Sequence, residues 1–319
     1  MIRLLSRPGM GMVIFLVTAS LVMSLISPVF LTWLNWANIL NQSALLVLLA
    51  MGMTIVLIGG GIDLSVGAIA ALAGGATAVL ISQAHWPLAL AMAAGVLAGG
   101  FLGLLNGLII TRMKIPDFVT TLAMLALIRG VLFVLTQGVP VVNFSSPAYS
   151  KLGGLTRLPL KLTVPEFITA AVLILGVLIL RHARVASHLK ATGENADIAR
   201  LSGVATGRIK LGIYMVSGLL AGITGVLLAG RLGTVQPAMA SGMEVQALAA
   251  AIIGGAALNG GRGTLTGAAL GALTLVVIQN IINLTGIPPV FETFVVGLVI
   301  LAVITLDRLP ALLSGKALA

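Results

Sequence analysis

The chain has 319 residues, of which 59% are hydrophobic and only 8% are charged. A soluble domain is typically about 45–50% apolar and about 25% charged, so a single water-surrounded core could not bury this much apolar surface. The composition therefore excludes an ordinary soluble domain and predicts that lipid surrounds much of the chain. The absence of cysteine excludes disulfides and thiolate metal sites.

Apolar segments recur along the whole chain and predict about ten transmembrane helices. Their approximate bounds are 10–31, 43–60, 64–82, 87–111, 118–136, 164–181, 211–230, 244–258, 264–283 and 289–306. The first has no small-x-small cleavage site at its end, which favours a retained helix over a removed signal peptide. Segments 43–60, 64–82 and 244–258 are short or glycine-rich and are predicted to be broken or re-entrant. The predicted fold is an all-α polytopic membrane protein with one transmembrane domain over residues 1–319.

Basic residues fall mainly in the loops on one side of this predicted bundle. With the N-terminus inside and ten crossings, the outer loops hold only Lys151, Arg157 and Lys161. The inner loops hold Arg3, Arg7, Arg112, Lys114, Arg181, Arg184, Lys190, Arg200, Arg208, Lys210, Arg262, Arg308 and Lys316. The positive-inside rule then places both termini in the cytoplasm, the loop at about 137–163 outside and the loop at about 181–210 inside. This bias explains the net charge of +10 without a nucleic-acid partner.

Motifs for catalysis or metal binding are scarce. A GxxxxGK[ST] phosphate loop is missing, so any ATP would be bound by another chain. His182 and His188 are six residues apart, which is not the spacing that places two metal ligands on one helical face. We therefore predict no catalytic residue, no metal site and no cofactor in this chain. The alternative of an intramembrane enzyme lacks a nucleophile–base pair.

Polar residues inside the predicted spans are few and mostly neutral, whereas an ion-coupled carrier is expected to place several carboxylates or histidines there. The polar residues within the spans are Asp63, Asn106, Arg129, Glu244, Gln246, Gln279, Asn280, Asn283 and Glu292. The candidates for helix breaks and the solute pathway are Gly59, Gly60, Gly61, Asp63, Ser65, Asn106, Arg129, Glu244, Gln246 and Asn280. Neutral amides suit a polyhydroxy solute better than a proton relay. Alternatively, the Asn and Gln side chains only join neighbouring helices by hydrogen bonds.

Two glycine-interrupted stretches are similar to each other. IVLIGGGIDLSVGAIAALAGG and AAIIGGAALNGGRGTLTGAALGA each read as an apolar run, a glycine cluster, a polar kink and a helix of small residues. Paired interruptions of this kind indicate a transporter whose pathway lies between two repeats. Alternatively, any glycine-rich membrane protein would show such a similarity.

The first interruption contains Gly59, Gly60 and Gly61, followed by Asp63. A charge at membrane depth costs about 2.5–3.5 kcal/mol on insertion scales, so this carboxylate should face protein or water. The glycines are predicted to end or kink a helix and to free amide donors for the carboxylate. We predict that Asp63 caps a helix that starts near Leu64. The alternative is direct contact between Asp63 and the solute.

The inner loop contains a predicted short helix from Asn195 to Ser202. Asn195 is a good N-cap, Asp197 lies in the first turn, Arg200 lies toward the last turn, and Gly203 can adopt the left-handed C-cap conformation. Two helical turns are not stable alone in water, so neighbouring helices or a partner protein must hold them. A helix fixed just off the membrane could act as a lever for a cytoplasmic motor. An ordinary solvated connector is the alternative.

Four stretches carry a resemblance to a known family. They are NILNQSALLVLLAMGMTIVLIGGGIDLSVGAIAALAGG, MLALIRGV, ATGENADIARLSGV and EVQALAAAIIGGAALNGGRGTLTGAALGAL, and GMTIVLIGGGIDLSVG is the most specific part. The chain resembles the permease subunit of bacterial ATP-binding-cassette importers for monosaccharides, the ribose/xylose/galactose class. The resemblance covers nearly the whole chain.

The resemblance implies a multi-pass protein of the bacterial inner membrane. It implies a second permease chain, as homodimer or heterodimer, cytoplasmic ATPase subunits that bind ATP and Mg, and a periplasmic sugar-binding protein. It also implies an ATPase-coupling helix in the inner loop. The matching residues are Gly193, Glu194, Asn195, Asp197, Ala199, Arg200, Leu201, Ser202 and Gly203.

Two positions depart from the family pattern. Glu194 stands where the family usually has Gly, and Gln246 stands where it usually has Asp. The expected function is translocation of a monosaccharide or related polyol by alternating access, driven by separate ATPase subunits. The alternative is a stand-alone ion-coupled secondary transporter.

Overall fold

The structure, a computed structural model, describes residues 10–144, 146–154 and 162–288, together with residues 291, 294, 295, 297, 298 and 301. Over these residues the regular secondary structure is helical apart from one isolated bridge between Val141 and Val235. The helices are α1 (Met10–Ile26), α2 (Trp33–Ile58), α3 (Val66–Ser82), α4 (Leu88–Arg112), α5 (Asp117–Leu135), α6 (Pro147–Leu152), α7 (Val164–His182), α8 (Arg184–Glu194), α9 (Ala196–Leu201), α10 (Thr206–Leu232), α11 (Met243–Ile253) and α12 (Leu265–Leu284).

Six of these helices, α2, α4, α5, α7, α10 and α12, are long and apolar enough to cross a membrane. The predicted all-α polytopic fold is therefore confirmed, whereas the number of about ten spans stays a prediction. Helices α3 and α11 are apolar but shorter, with 17 and 11 residues. Most of the predicted last span, 289–306, lies outside the described residues. So do Arg3, Arg7, Arg157, Lys161, Glu292, Arg308 and Lys316.

The prediction that 43–60 is a short segment is wrong, because α2 begins ten residues earlier and has 26 residues. Two polar side chains interrupt the apolar pattern there, but both are buried and hydrogen-bonded. Asn35 Nδ2 donates to the Phe30 carbonyl at 2.9 Å, and Asn41 Nδ2 donates to Thr163 Oγ1 at 2.8 Å. A paired amide is tolerated inside a membrane protein, so the helix continues through these positions.

Helix α10 lies at the centre and packs against α2, α3 and α4. Small residues bring these backbones close together: Gly218 of α10 lies against Gly99 and Gly103 of α4, and Gly225 lies against Ala70 of α3. Such contacts drive helix association where lipid provides no hydrophobic force between helices. The central position of α10 brings its polar residues next to the interruption between α2 and α3.

The second interrupted pair, α11 and α12, packs as an antiparallel hairpin. Gly254 lies against Gly267, and Gly271 lies against Ala250, one turn further along each helix. Helix α12 also packs against α2. At the periphery, α7 exposes Ile174 and Leu175. An exposed apolar face on a long helix is typical of a surface that contacts lipid.

Candidate functional site

The segment 59–65 between α2 and α3 forms a break in which each glycine amide is already paired. The amides of Gly59, Gly60 and Gly61 donate to carbonyls of the last turns of α2 at 3.2, 2.9 and 3.0 Å. Gly60 has φ +75°, in the left-handed region that favours glycine. The prediction that these amides bind Asp63 is therefore wrong, because backbone carbonyls at the C-terminal end of α2 accept their hydrogen bonds.

Asp63 is fully buried in this break and accepts three hydrogen bonds. Its Oδ1 accepts from the Ser65 amide at 3.0 Å and from Ser65 Oγ at 2.6 Å. Its Oδ2 accepts from Ser217 Oγ of α10 at 2.9 Å. Asn106 Nδ2 of α4 donates to Ser65 Oγ at 2.8 Å. These four side chains, which we call the break cluster, join the break to α4 and α10.

The predicted capping role of Asp63 needs correction. Helix α3 begins at Val66 and has Ser65 at its N-cap position, so Asp63 lies two residues before the cap. Asp63 and Ser65 form a local turn instead, in which the carboxylate accepts from the amide two residues later. The carboxylate thus fixes the residue that starts α3 and ties it to α10. Its contacts are with protein, as expected for a charge at this depth.

Sequence reasoning missed several residues around the break. The carbonyl of Ile62 accepts from Thr121 Oγ1 at 3.2 Å and from the Tyr214 hydroxyl at 3.3 Å. Beside them, Lys210 Nζ of α10 lies 3.0 and 3.2 Å from the two carboxylate oxygens of Asp117 at the start of α5. No local spacing signals these contacts, because each joins residues that are far apart in sequence.

Gly193 of α8 lies between the two breaks. Gly60 of the first break and Gly260 of the second both approach its backbone. A Cβ on Gly193 would overlap the Ile58 carbonyl oxygen and would lie 2.7 Å from the Gly261 amide nitrogen. The Gly261 amide also donates directly to the Ile58 carbonyl at 2.9 Å. The inner loop therefore contacts both glycine-interrupted stretches at one point.

Two charged candidates hold the turns that precede α11. Arg129 Nη1 donates to the carbonyls of Pro237 and Met239 at 3.0 and 2.6 Å. Glu244 Oε1 accepts from the Gly242 amide at 3.1 Å, while its Oε2 is buried without a hydrogen-bond partner and lies against Gly67 in the first turn of α3. The position of Oε2 near a helix N-terminus is electrostatically favourable.

Two further candidates from the sequence, Asn280 and Gln246, lie apart from the break cluster and from the charged pair above. Asn280 exchanges two hydrogen bonds with Asn35, at 3.0 and 2.7 Å, and so joins α12 to α2. This is the interhelical role that was the alternative to a pathway role. The side chain of Gln246 is partly exposed on α11.

The predicted short helix of the inner loop is confirmed as α9, with bounds one residue inside those predicted. Asn195 Oδ1 accepts from the amides of Asp197 and Ile198, both at 3.0 Å, and Gly203 has φ +85°. Asp197 and Arg200 form an exposed ion pair at 3.5 Å. Both ends of this six-residue helix are therefore fixed by the residues that flank it.

The outer surface of α9 is apolar. The exposed fractions of Ile198 and Leu201 are 62% and 89%, whereas Ala199 is buried against the rest of the protein. Helix α9 packs on α8 and α10, which hold it on the bundle. It therefore presents two apolar side chains on a rigid support.

Comparison with known proteins now assigns the chain to a family. A family model described as branched-chain amino acid transport system / permease component matches residues 35–304. The chain belongs to this permease family. The ribose import permease protein of Escherichia coli (strain K12) is 35% identical to this permease over 289 residues, which cover 90% of the permease and 89% of that protein.

Two further relatives are similar to this permease over most of their length. The L-arabinose ABC transporter permease protein of Azospirillum brasilense is 33% identical over 306 residues, covering 96% of the permease and 88% of that protein. The D-allose transport system permease protein of Escherichia coli (strain K12) is 34% identical over 280 residues, with coverages of 88% and 85%. No solved structure matches. The resemblance to permease subunits of monosaccharide importers is confirmed, as is a multi-pass protein of the bacterial inner membrane.

Proposed function

We propose that this permease moves a monosaccharide or a related small polyol across the inner membrane by alternating access, powered by separate ATPase subunits. Relatives that are named for ribose, L-arabinose and D-allose transport support this substrate class. The observation that carries the proposal is the contact of the inner loop, through Gly193, with both glycine-interrupted breaks. This contact gives a cytoplasmic motor a mechanical route to the membrane interior.

The other components of the importer follow from the same proposal. Residues 1–319 form one transmembrane domain, surrounded by lipid, that pairs with a second permease chain. Cytoplasmic ATPase subunits hold ATP and Mg, and a periplasmic sugar-binding protein delivers the solute. The permease itself makes and breaks no covalent bond, and its residues bind, orient and release the solute.

Helix α9 is proposed as the ATPase-docking element. Ile198 and Leu201 expose apolar surface on the side that faces away from the bundle, and a groove on the ATPase would bury it. Because Asn195 and Gly203 fix both ends of the helix, a push on α9 moves it as a rigid body.

A displacement of α9 reaches the breaks by two routes. Helix α8 precedes α9 and carries Gly193, which contacts Ile58 and Gly261. Helix α10 follows α9 and carries Lys210 and Ser217, which bind Asp117 and Asp63. Both routes reach helix interruptions, where the regular i→i−4 hydrogen bonds stop and the angle between the flanking helices can change.

Within the break cluster, Asp63 is proposed as a positioning residue, because the carboxylate is buried and accepts three hydrogen bonds from protein groups. Asn106 differs, since its Oδ1 is buried and has no hydrogen-bond partner. An unpaired acceptor is costly to bury. We propose that Asn106 Oδ1 accepts from a solute hydroxyl when the pathway opens beside it.

Reconstitution in liposomes tests the proposed function. The permease is assembled with its ATPase and sugar-binding protein, and uptake of labelled pentoses and hexoses is measured. Uptake is expected only with all components and ATP. Uptake by the permease alone, driven by an ion gradient, would contradict the proposal and support the secondary transporter.

The docking role of α9 is tested with the double variant I198S/L201S. We expect the variant to fold normally and to lose ATPase during copurification, because its two serines remove apolar surface only from the exposed face. Leu232 is a matched control, since it is 51% exposed at the opposite end of α10. Leu232→Ser should retain the ATPase. Full retention by I198S/L201S would show that α9 is a connector.

A further inference from the structure

A groove of about 200 Å³ lies between α7, α8 and the start of α12. Its apolar walls include Val177 and Leu180 of α7, Leu189 of α8 and Leu265 of α12. None of the residues of the break cluster lines it, whereas Ile58 at the end of α2 and Gly263 and Thr264 of the second break do. The groove is therefore distinct from the break cluster but adjoins the second break.

Two basic side chains stand at the groove, Arg181 at the end of α7 and Lys190 on α8. Both are exposed, and neither takes part in an ion pair or a side-chain hydrogen bond within the described part of the chain. The nearest carboxylate on α8, that of Glu194, belongs to a side chain packed against Gly261, outside the groove lining. The groove thus has two basic side chains and no carboxylate among its lining residues.

The N-terminus of α12 adds unpaired donors on the same side. Thr264 Oγ1 accepts from the Gly267 amide at 3.0 Å, so the helix is capped at its third residue. Among the described residues, the amides of Leu265 and Thr266 have no hydrogen-bond partner. Amides at the start of a twenty-residue helix, with its positive dipole end, are suited to an anion.

The groove lies where the lipid-facing surface of α7 meets the basic inner loop. Ile174, Leu178 and Ile179 are exposed, with exposed fractions of 61%, 50% and 46%, and Arg181 follows directly. An apolar face that ends at cations is typical of the boundary between acyl chains and headgroups. The excess of basic residues in the inner loops makes this the cytoplasmic boundary.

We propose that this groove binds an anionic phospholipid of the cytoplasmic leaflet. Its headgroup phosphate lies between Arg181, Lys190 and the first amides of α12, and an acyl chain follows the exposed face of α7. Charge complementarity selects an anionic headgroup over a zwitterionic one. Because α8 forms one wall and also carries Gly193, a bound lipid holds the helix that contacts both breaks.

Native mass spectrometry of the purified full-length permease tests this proposal. The protein is equilibrated with phosphatidylglycerol or with phosphatidylcholine of the same acyl chains, and the retained lipid is counted. Two basic side chains near the headgroup predict that phosphatidylglycerol is retained about tenfold better. In R181Q/K190Q this preference is expected to fall to about twofold or less.

The double variant R112Q/K114Q is the matched control, since it removes the same charge from the inner end of α4, outside the groove. It should keep the full preference for phosphatidylglycerol. Size-exclusion profiles and melting temperatures report folding. If R181Q/K190Q does not fold, the single variants R181Q and K190Q are measured in the same way, and each should lose part of the preference.

Three outcomes would overturn the proposal. The first is an unchanged preference in R181Q/K190Q or in both folded single variants. The second is displacement of phosphatidylglycerol by millimolar inorganic phosphate, which would make the groove a site for a free anion. The third is complete displacement by the ATPase together with loss of ATPase copurification in R181Q/K190Q, which would make the groove a protein contact.

Discussion

The two glycine-interrupted stretches are similar in sequence but are held by different interactions. The break at 59–65 contains a buried carboxylate whose hydrogen bonds reach α4 and α10 through side chains. The break at 254–264 is held by its backbone, by close contact of Gly254 with Gly267, and by the N-cap Thr264. Glycine therefore interrupts the helix in both places, while the polar residues that follow determine which interactions hold each interruption in place.

This difference suggests separate tasks for the two breaks. We expect the first break to respond when α10 moves, because Ser217 on that helix donates a hydrogen bond to Asp63. The second break is joined to the end of α2 by its backbone, since the Gly261 amide donates to the Ile58 carbonyl, and we expect it to respond when α2 moves. Gly193 contacts both breaks. Variants at Gly193 and within each break therefore separate what each break contributes to stability and to uptake.

The largest effect is expected from Gly193→Ala. The added Cβ would overlap the Ile58 carbonyl oxygen and crowd the Gly261 amide, and both are backbone atoms that cannot rotate away. Overpacking of this kind costs about 3 kcal/mol in the free energy of unfolding. Thermal unfolding in detergent measures the loss, and uptake in the reconstituted importer should fall with it.

Gly207→Ala is the matched control for this variant. An added Cβ on Gly207 meets nothing within 4 Å, and the residue lies in the first turn of α10. Its melting temperature should be unchanged or slightly higher, because alanine favours a helix over glycine. If Gly193→Ala behaves like this control, Gly193 is not the shared contact.

The next largest effect is expected at the first break, from Asp63→Ala. The variant leaves Ser65 and Ser217 without their acceptor, which costs about 2 kcal/mol in the free energy of unfolding. Asp63→Asn keeps the Oδ1 acceptor, and the Ser217 hydroxyl can rotate to accept from its amide, so the loss should be about 1 kcal/mol. Chemical denaturation compares the two variants.

Uptake separates a positioning role of Asp63 from a direct one. If the carboxylate only fixes the break, Asp63→Asn should keep most of the wild-type uptake rate in the reconstituted importer. A well-folded Asp63→Asn protein with no uptake would mean that the charge itself takes part in transport.

A smaller effect is expected at the second break, from Thr264→Ala. Removing the N-cap of α12 costs about 1 kcal/mol, because only one of the interactions that hold this break is lost. Thr264→Ser keeps the hydroxyl and should restore the wild-type stability. A loss as large as that of Asp63→Ala would show that the two breaks are held equally by side chains.

The smallest effect is expected from Asn280→Ala, which removes the amide pair that joins α12 to α2. Hydrogen bonds between membrane helices average about 0.6 kcal/mol, so the melting temperature should fall only slightly. Uptake by the folded protein should be close to wild type. A large drop in the apparent affinity for the sugar would instead place Asn280 in the pathway.

Local interactions made part of this protein predictable. The short helix α9 was predicted to within one residue, because Asn195 and Gly203 act on amides and carbonyls within a few positions of themselves. The start of α2 was missed, since buried Asn35 and Asn41 each have a side-chain partner far away in sequence, 245 and 122 residues distant. The pairing of such amides is not visible in a local pattern.

The sequence by itself determined the surrounding medium, the helical class and the places where the chain is interrupted. These follow from hydropathy, glycine and capping residues, whose effects extend over one or two helical turns. Only the tertiary structure decided what each interruption contacts. Ser217 reaches Asp63 across 154 residues of chain, and Gly193 meets both breaks, because the packing of α8 and α10 places them there. Contacts of this range depend on the summed packing of all helices, which no short stretch of residues encodes.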